Sequence, residues 1–114
     1  DTSGNPSSIT SVIVTYVDNT KPTVTITHTP ANPTNKDKVT FTATASDLNG
    51  VKQISIYVDN VIRKTCSAVT SCQYIGGAYR KRTTHTYYAT ATDNSPSANV
   101  GRDPLSGTKS FIVS

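Results

Sequence analysis

Methionine, tryptophan and glutamate are missing from these 114 residues, and cysteine appears only twice. With no Glu, all seven acids are Asp. They fall at turns and strand ends, where Asp commonly caps the backbone, and none pair at the short spacing that glycoside hydrolysis would suggest. Charge is sparse at 16%, with 11 Lys plus Arg and a net charge of +4. The densest basic run is Arg80-Lys81-Arg82, with Arg63 and Lys64 elsewhere. A solvated hairpin tip is the ordinary reading of the run, with anionic glycan, cell wall or nucleic acid as the sharper one; a nucleic-acid binder would show a basic stripe interleaved with stacking aromatics and a more basic domain. No apolar stretch approaches the roughly 20 residues of a membrane-spanning helix, and no signal peptide is visible. Starting at Asp1, the chain reads as processed or as a fragment of a longer protein.

The two cysteines, Cys66 and Cys72, lack the second pair that a structural zinc site would need, and His28 and His85 are distant in sequence. They are expected to form a local disulfide pinning a loop, which implies an oxidising compartment outside the cytoplasm. Serine and threonine are sown through the sequence without a nucleophile elbow, and both histidines fall in apolar phase within strands, where packing at the edge of a core is the ordinary role.

What the chain does have is threonine: 20 Thr and 13 Ser. These alternate with Val, Ile, Phe and Ala, as expected of half-buried pleated strands and not of a disordered stalk. The alternation is cleanest over 38–46, with Val39, Phe41, Ala43 and Ala45 on one face and Thr40, Thr42 and Thr44 on the other. Further strands are predicted over 9–17, 23–28, 51–58, 61–65, 72–75, 83–92 and 108–113. Asp47-Leu48-Asn49-Gly50 forms a turn, Asp59-Asn60 a tight hairpin turn, and 93–107 a long loop. No segment has helical period. Strands with one apolar and one Thr face, separated by frequent turns, predict an all-β sandwich of seven to eight antiparallel strands, with a small barrel as the alternative.

A near-repeat divides the chain. Ser11-Val12-Ile13-Val14 echoes Ser110-Phe111-Ile112-Val113 at an offset close to one domain length, and Asp1-Thr2-Ser3 echoes Asp93-Asn94-Ser95. Residues 1–17 therefore read as the last strand of a preceding repeat, 18–22 as a linker and 23–114 as one complete module in a tandem array. Coincidence between Thr- and Val-rich strands would produce the same echo.

The run Asp18-Asn19-Thr20-Lys21-Pro22-Thr23-Val24-Thr25-Ile26 resembles the opening of bacterial and archaeal Ig-like repeats, as do 39–47, Tyr57-Val58-Asp59-Asn60 and 85–94. Cadherin-like and polycystic-kidney-disease-type modules share parts of the pattern. The resemblance covers about residues 18–114 and implies an immunoglobulin-like β-sandwich, a non-catalytic, cell-surface or secreted module acting as a structural spacer or adhesive repeat, with neighbouring repeats and surface glycans as partners. It says little about ligand. Arg80-Lys81-Arg82 departs from it, since a Gly-containing turn is common there.

Two alternatives follow from the residues. One is a filament or pilus subunit that exchanges residues 9–17 with its neighbour, inserting Val12, Val14 and Tyr16 by β-strand addition. The other is an accessory, glycan-binding domain of a secreted hydrolase, for which Tyr74, Tyr79 and Tyr88 are the candidate aromatics, if they are not packed. Calcium is the one cofactor the residues invite. Asp18, Asn19, Asp47, Asn49 and Asp93 would meet at one end of the sandwich and offer the oxygen ligands that a hard cation takes, although ordinary turn chemistry explains the same residues.

Overall fold

The computed structural model describes residues 20–114. Eight strands follow in order: β1 Thr23–Thr29, β2 Lys38–Ser46, β3 Val51–Val58, β4 Val61–Ser67, β5 Ser71–Gly77, β6 Thr84–Asp93, β7 Val100–Asp103 and β8 Lys109–Ile112. All pairings are antiparallel. One sheet is β1-β2-β5. The other runs β4-β3-β6, with β7 against the second half of β6 and β8 against its first half.

Strand β2 shows why the sheets close on each other. Its Val39, Phe41, Ala43 and Ala45 are buried, while the threonines between them stay wholly or partly in water. Ile26 on β1, Ile54, Ile56 and Val58 on β3, Ala89 and Ala91 on β6, and Phe111 and Val113 near the end supply the rest of the core. The predicted sandwich is therefore the observed one, and burial of these apolar faces holds it together. His28 packs at the core edge as expected. Its ring lies 5.0 Å from Phe111 and 5.2 Å from Tyr87. Nε2–H donates to the Ala31 carbonyl at 3.2 Å, which leaves Nδ1 to accept from the Tyr87 hydroxyl at 2.6 Å. Burial, and then the nearby Asp103 carboxylate, push the Tyr87 hydroxyl above its ordinary pKa.

The turns follow their residues. Asp59 and Asn60 both have positive φ, 54° and 64°, the backbone of a two-residue hairpin whose twist matches its strands. Two elements differ from the sequence expectation. Strand β7 lies inside the stretch expected to be loop. The Cys66–Cys72 disulfide forms, with a Cα–Cα distance of 5.8 Å, but it does more than pin a loop: Cys66 is on β4 and Cys72 on β5, so the bridge ties one sheet to the other. Replacing both cysteines with alanine is expected to lower the unfolding free energy by about 2 kcal/mol, because the ring it closes in the unfolded chain is short. Denaturant titration of the oxidised protein and the double variant measures this.

The sandwich has two poles. Strand β1 begins at the upper one, where Thr23 pairs with Ser46 and Val51 with Asp93. The last residues reach the lower one, where Ser114 N–H donates to the Pro33 carbonyl. The described chain thus comes in at one pole and leaves at the other.

Candidate functional site

At the upper pole two of the residues named for calcium, Asp93 and Asp47, accept local hydrogen bonds. Asp93 is fully buried at the end of β6. Its Oδ1 accepts from Ser95 N at 3.2 Å, Ser95 Oγ at 2.8 Å and Asn99 N at 3.0 Å, and its Oδ2 from Asn99 Nδ2 at 3.1 Å. Burial alone would raise this carboxyl's pKa, but the donors from Ser95 and Asn99 outweigh it and hold the group below the usual carboxylate range. Asp93 is thus the hub of the 94–99 loop. Asp47 Oδ2 accepts from Asn49 N at 3.0 Å within the β2–β3 turn, while its Oδ1 is enclosed without a partner. Asp18 and Asn19 lie outside the described residues, as do Val12, Val14 and Tyr16. No group of three or more His, Cys, Asp or Glu among the described residues is placed to hold a metal.

Below this loop, the incoming chain is seated on β7. Thr20 O accepts a long hydrogen bond, 3.4 Å, from Asn99 Nδ2, and a Cβ on Gly101 would stand 2.1 Å from the Pro22 carbonyl oxygen. A cleft of about 550 Å³ opens beside this contact, with Leu105 and Val100 exposed at its rim. Only glycine lets the two backbones approach this closely. Gly101→Ala should therefore cost about 1–3 kcal/mol, since the obstacle is backbone and cannot rotate away; thermal or urea unfolding checks it.

Further along β1, its outward edge is closed by side chains. Ile26 N–H donates to Asp103 Oδ2 at 2.8 Å, and Lys109 Nζ donates to the Ile26 carbonyl at 2.7 Å. Asp103 and Lys109, which flank the gap between β7 and β8, pair at 2.9 Å. Desolvation raises the Asp103 pKa, but the Ile26 N–H and the Lys109 ammonium bring it net below the ordinary value.

The outward face of the β4-β3-β6-β7 sheet carries an aromatic stack. Tyr57 on β3 lies parallel to Tyr88 on β6, with centroids 4.4 Å apart, and the Arg102 guanidinium on β7 sits 4.1 Å from the Tyr88 centroid. Because β6 runs between β3 and β7, Tyr88 is covered on both faces and offers no open ring to a sugar. Tyr74 stacks on Phe41, and Tyr79 lies against His85 with centroids 4.2 Å apart. All three tyrosines named from the sequence are packed; Tyr57 was not among them.

At the lower pole an acid, an imidazole and a hydroxyl stand in line. His85 Nδ1 is 2.7 Å from Asp59 Oδ2, and His85 Nε2 is 2.8 Å from Thr83 Oγ1. This resembles the spacing of a nucleophilic relay. However, the Thr83 hydroxyl donates its hydrogen to the Arg80 carbonyl, and the Tyr79 ring covers the imidazole. With the Thr83 proton already committed, the group fastens the 78–83 loop to the β3–β4 turn; Thr86 N–H on Asp59 Oδ1 at 3.0 Å completes it. Desolvation, then Tyr74 and Asp59, raise the Tyr79 pKa against the opposing pull of Arg63.

No curated protein matches the chain in sequence. Among solved structures, it resembles the fibronectin(III)-like modules of Clostridium thermocellum CbhA, at a TM-score of 0.59 and 17% identity over 80% of this chain and 96% of that one. The two share a fold. The bacterial Ig domain family matches residues 22–101, from Pro22 through β6 to Gly101 at the start of β7. This chain belongs to the bacterial Ig domain family.

Proposed function

We propose that the chain is a non-catalytic, extracellular module that serves as a stiff spacer or adhesive repeat, in a head-to-tail array on a surface or secreted protein. The observation that carries this is the placement of the first and last described residues at opposite poles, with the incoming segment seated against β7 at Gly101. Modules joined in this way form an extended rod, and a seated linker limits bending between them. The inter-sheet disulfide fits an oxidising compartment. In this reading residues 1–17 are the last strand of the preceding module and 18–22 the connection.

The array reading is favoured over strand exchange at β1, whose outward edge is occupied at Ile26. Asp103 and Lys109 occupy the Ile26 N–H and carbonyl that an added strand would need. Size-exclusion chromatography with light scattering separates the two readings. The array expects residues 1–114 and a version lacking 1–17 both to run as monomers. Association that disappears with residues 1–17 would establish strand exchange instead.

A further inference from the structure

We infer that the lower pole binds an acidic polysaccharide through Arg80, Lys81 and Arg82, with Lys36, Lys38 and Arg63 around them. Register brings these residues to one end: Lys38 pairs with Gly77, Arg82 N–H donates to the Val113 carbonyl, and Arg63 lies close enough to Tyr79 to oppose the rise in its pKa. All six side chains are exposed. The two acids at this pole are occupied: Asp37 takes Thr34 N–H and hydroxyl, and Asp59 takes His85 and Thr86 N–H. Neither described salt bridge involves any of the six cations. Among the described residues, six cations therefore face two carboxylates at this end, an excess of positive charge in a module whose charge is otherwise sparse.

Arg82 adds an independent observation. Its φ is +63°, a left-handed conformation that glycine or asparagine adopts at lower cost. The strain makes Arg82 a position where the charge can be removed while the backbone is relieved, which separates an effect on binding from an effect on stability. The loop that bears it is also held still. Thr83 fastens it to the Arg80 carbonyl and to His85, and Val113 N–H donates to the Thr83 carbonyl. Fixed cations bind an extended polyanion without first losing loop entropy. The Tyr79 and Tyr88 rings are covered, so the open ring faces on which neutral sugars and unpaired bases stack are not offered by them. Preferring a glycan to duplex nucleic acid rests on the extracellular reading above; the charge argument does not.

The test uses residues 1–114 at low ionic strength, with polygalacturonate as the carboxylated probe, heparin as the sulfated one, and dextran and double-stranded DNA as comparisons. Binding to at least one acidic polysaccharide, absent with dextran and lost on adding salt, is expected. Arg82→Gly should keep or raise the melting midpoint while weakening binding about fivefold, and Arg80→Gln/Lys81→Gln/Arg82→Gly on the order of 100-fold. Lys52→Gln at the other pole should change neither. Which polysaccharide binds more tightly identifies the anionic group. Failure of both to bind, equal weakening by Lys52→Gln, or tighter binding of DNA than of either polysaccharide would each overturn the proposal; the last would also remove the extracellular argument, whereas the first two leave it standing.

Discussion

Phe41→Ala is expected to lower the unfolding free energy by about 3–5 kcal/mol, the range for deleting a fully buried aromatic ring. Phe41 is on β2, the middle strand of its sheet, with none of its surface exposed. Its ring lies 5.3 Å from Tyr87, 5.9 Å from Phe111 and 6.0 Å from Tyr74, so it joins both sheets. The hole left by alanine cannot readily collapse. Tyr87 is held by its ladder on β6 and by His28, and Phe111 by its pairing with His85. Domains of this size are stable by only about 5–15 kcal/mol, so the variant would sit near the limit of folding. Guanidinium titration measures the loss, with Ile112→Ala as the reference. Ile112 is 66% exposed, and its truncation should stay within about 0.5 kcal/mol. A loss below about 1 kcal/mol for Phe41→Ala would mean that the two sheets do not close over this ring.

The same residues show why much of the fold was legible. Phe41 lies in a run whose period-two alternation is unbroken, and the observed β2 has the predicted bounds, as does β3. The Asp59-Asn60 hairpin was legible because two residues tolerant of positive φ stood between two apolar runs. Strand β7 was hidden for a physical reason. Its inward residue, Gly101, has no side chain, and Val100 faces water, so no apolar alternation exists to be seen. It is a strand because β6 offers a free edge there. The cysteine spacing predicted the bond, but not that its two ends belong to different sheets, because that depends on where the chain crosses between them.

Side-chain chemistry was less legible than strand order. Aspartate and asparagine at a turn serve equally to cap backbone N–H groups or to ligate calcium; which use prevails depends on where the oxygens point. At Asp93 they point at Ser95 and Asn99. The Asp59–His85 pair spans 26 residues and appears only once β3 and β6 are in register. The packing of Tyr88 was anticipated as a possibility from the sequence, whereas its partners Tyr57 and Arg102, on neighbouring strands, were not. The run Arg80-Lys81-Arg82 was plain in sequence; the left-handed backbone at Arg82 was not.

Asp93→Ala is expected to lower the melting midpoint by about 10 °C or more at neutral pH, because it strands several donors inside the 94–99 loop where water cannot replace the lost acceptor. Asp93→Asn, which keeps one acceptor oxygen, should fall between the two. The pH dependence makes the test specific. Asp93 and Asp103 both have folded pKa values below their unfolded ones, near 4 for a free Asp. Such a group stabilises fully above the unfolded value, and its contribution drains away as pH falls through the folded value. The wild-type protein should therefore lose stability on the acid side, below about pH 4, from both carboxylates together. In Asp93→Ala only the Asp103 part remains, so its acid limb should be shallower and the two melting curves should draw together as pH falls below about 4. If instead the gap between them stays constant across that window, the buried carboxylate is not the group that organises the upper pole, and the loop must be held by its backbone contacts alone.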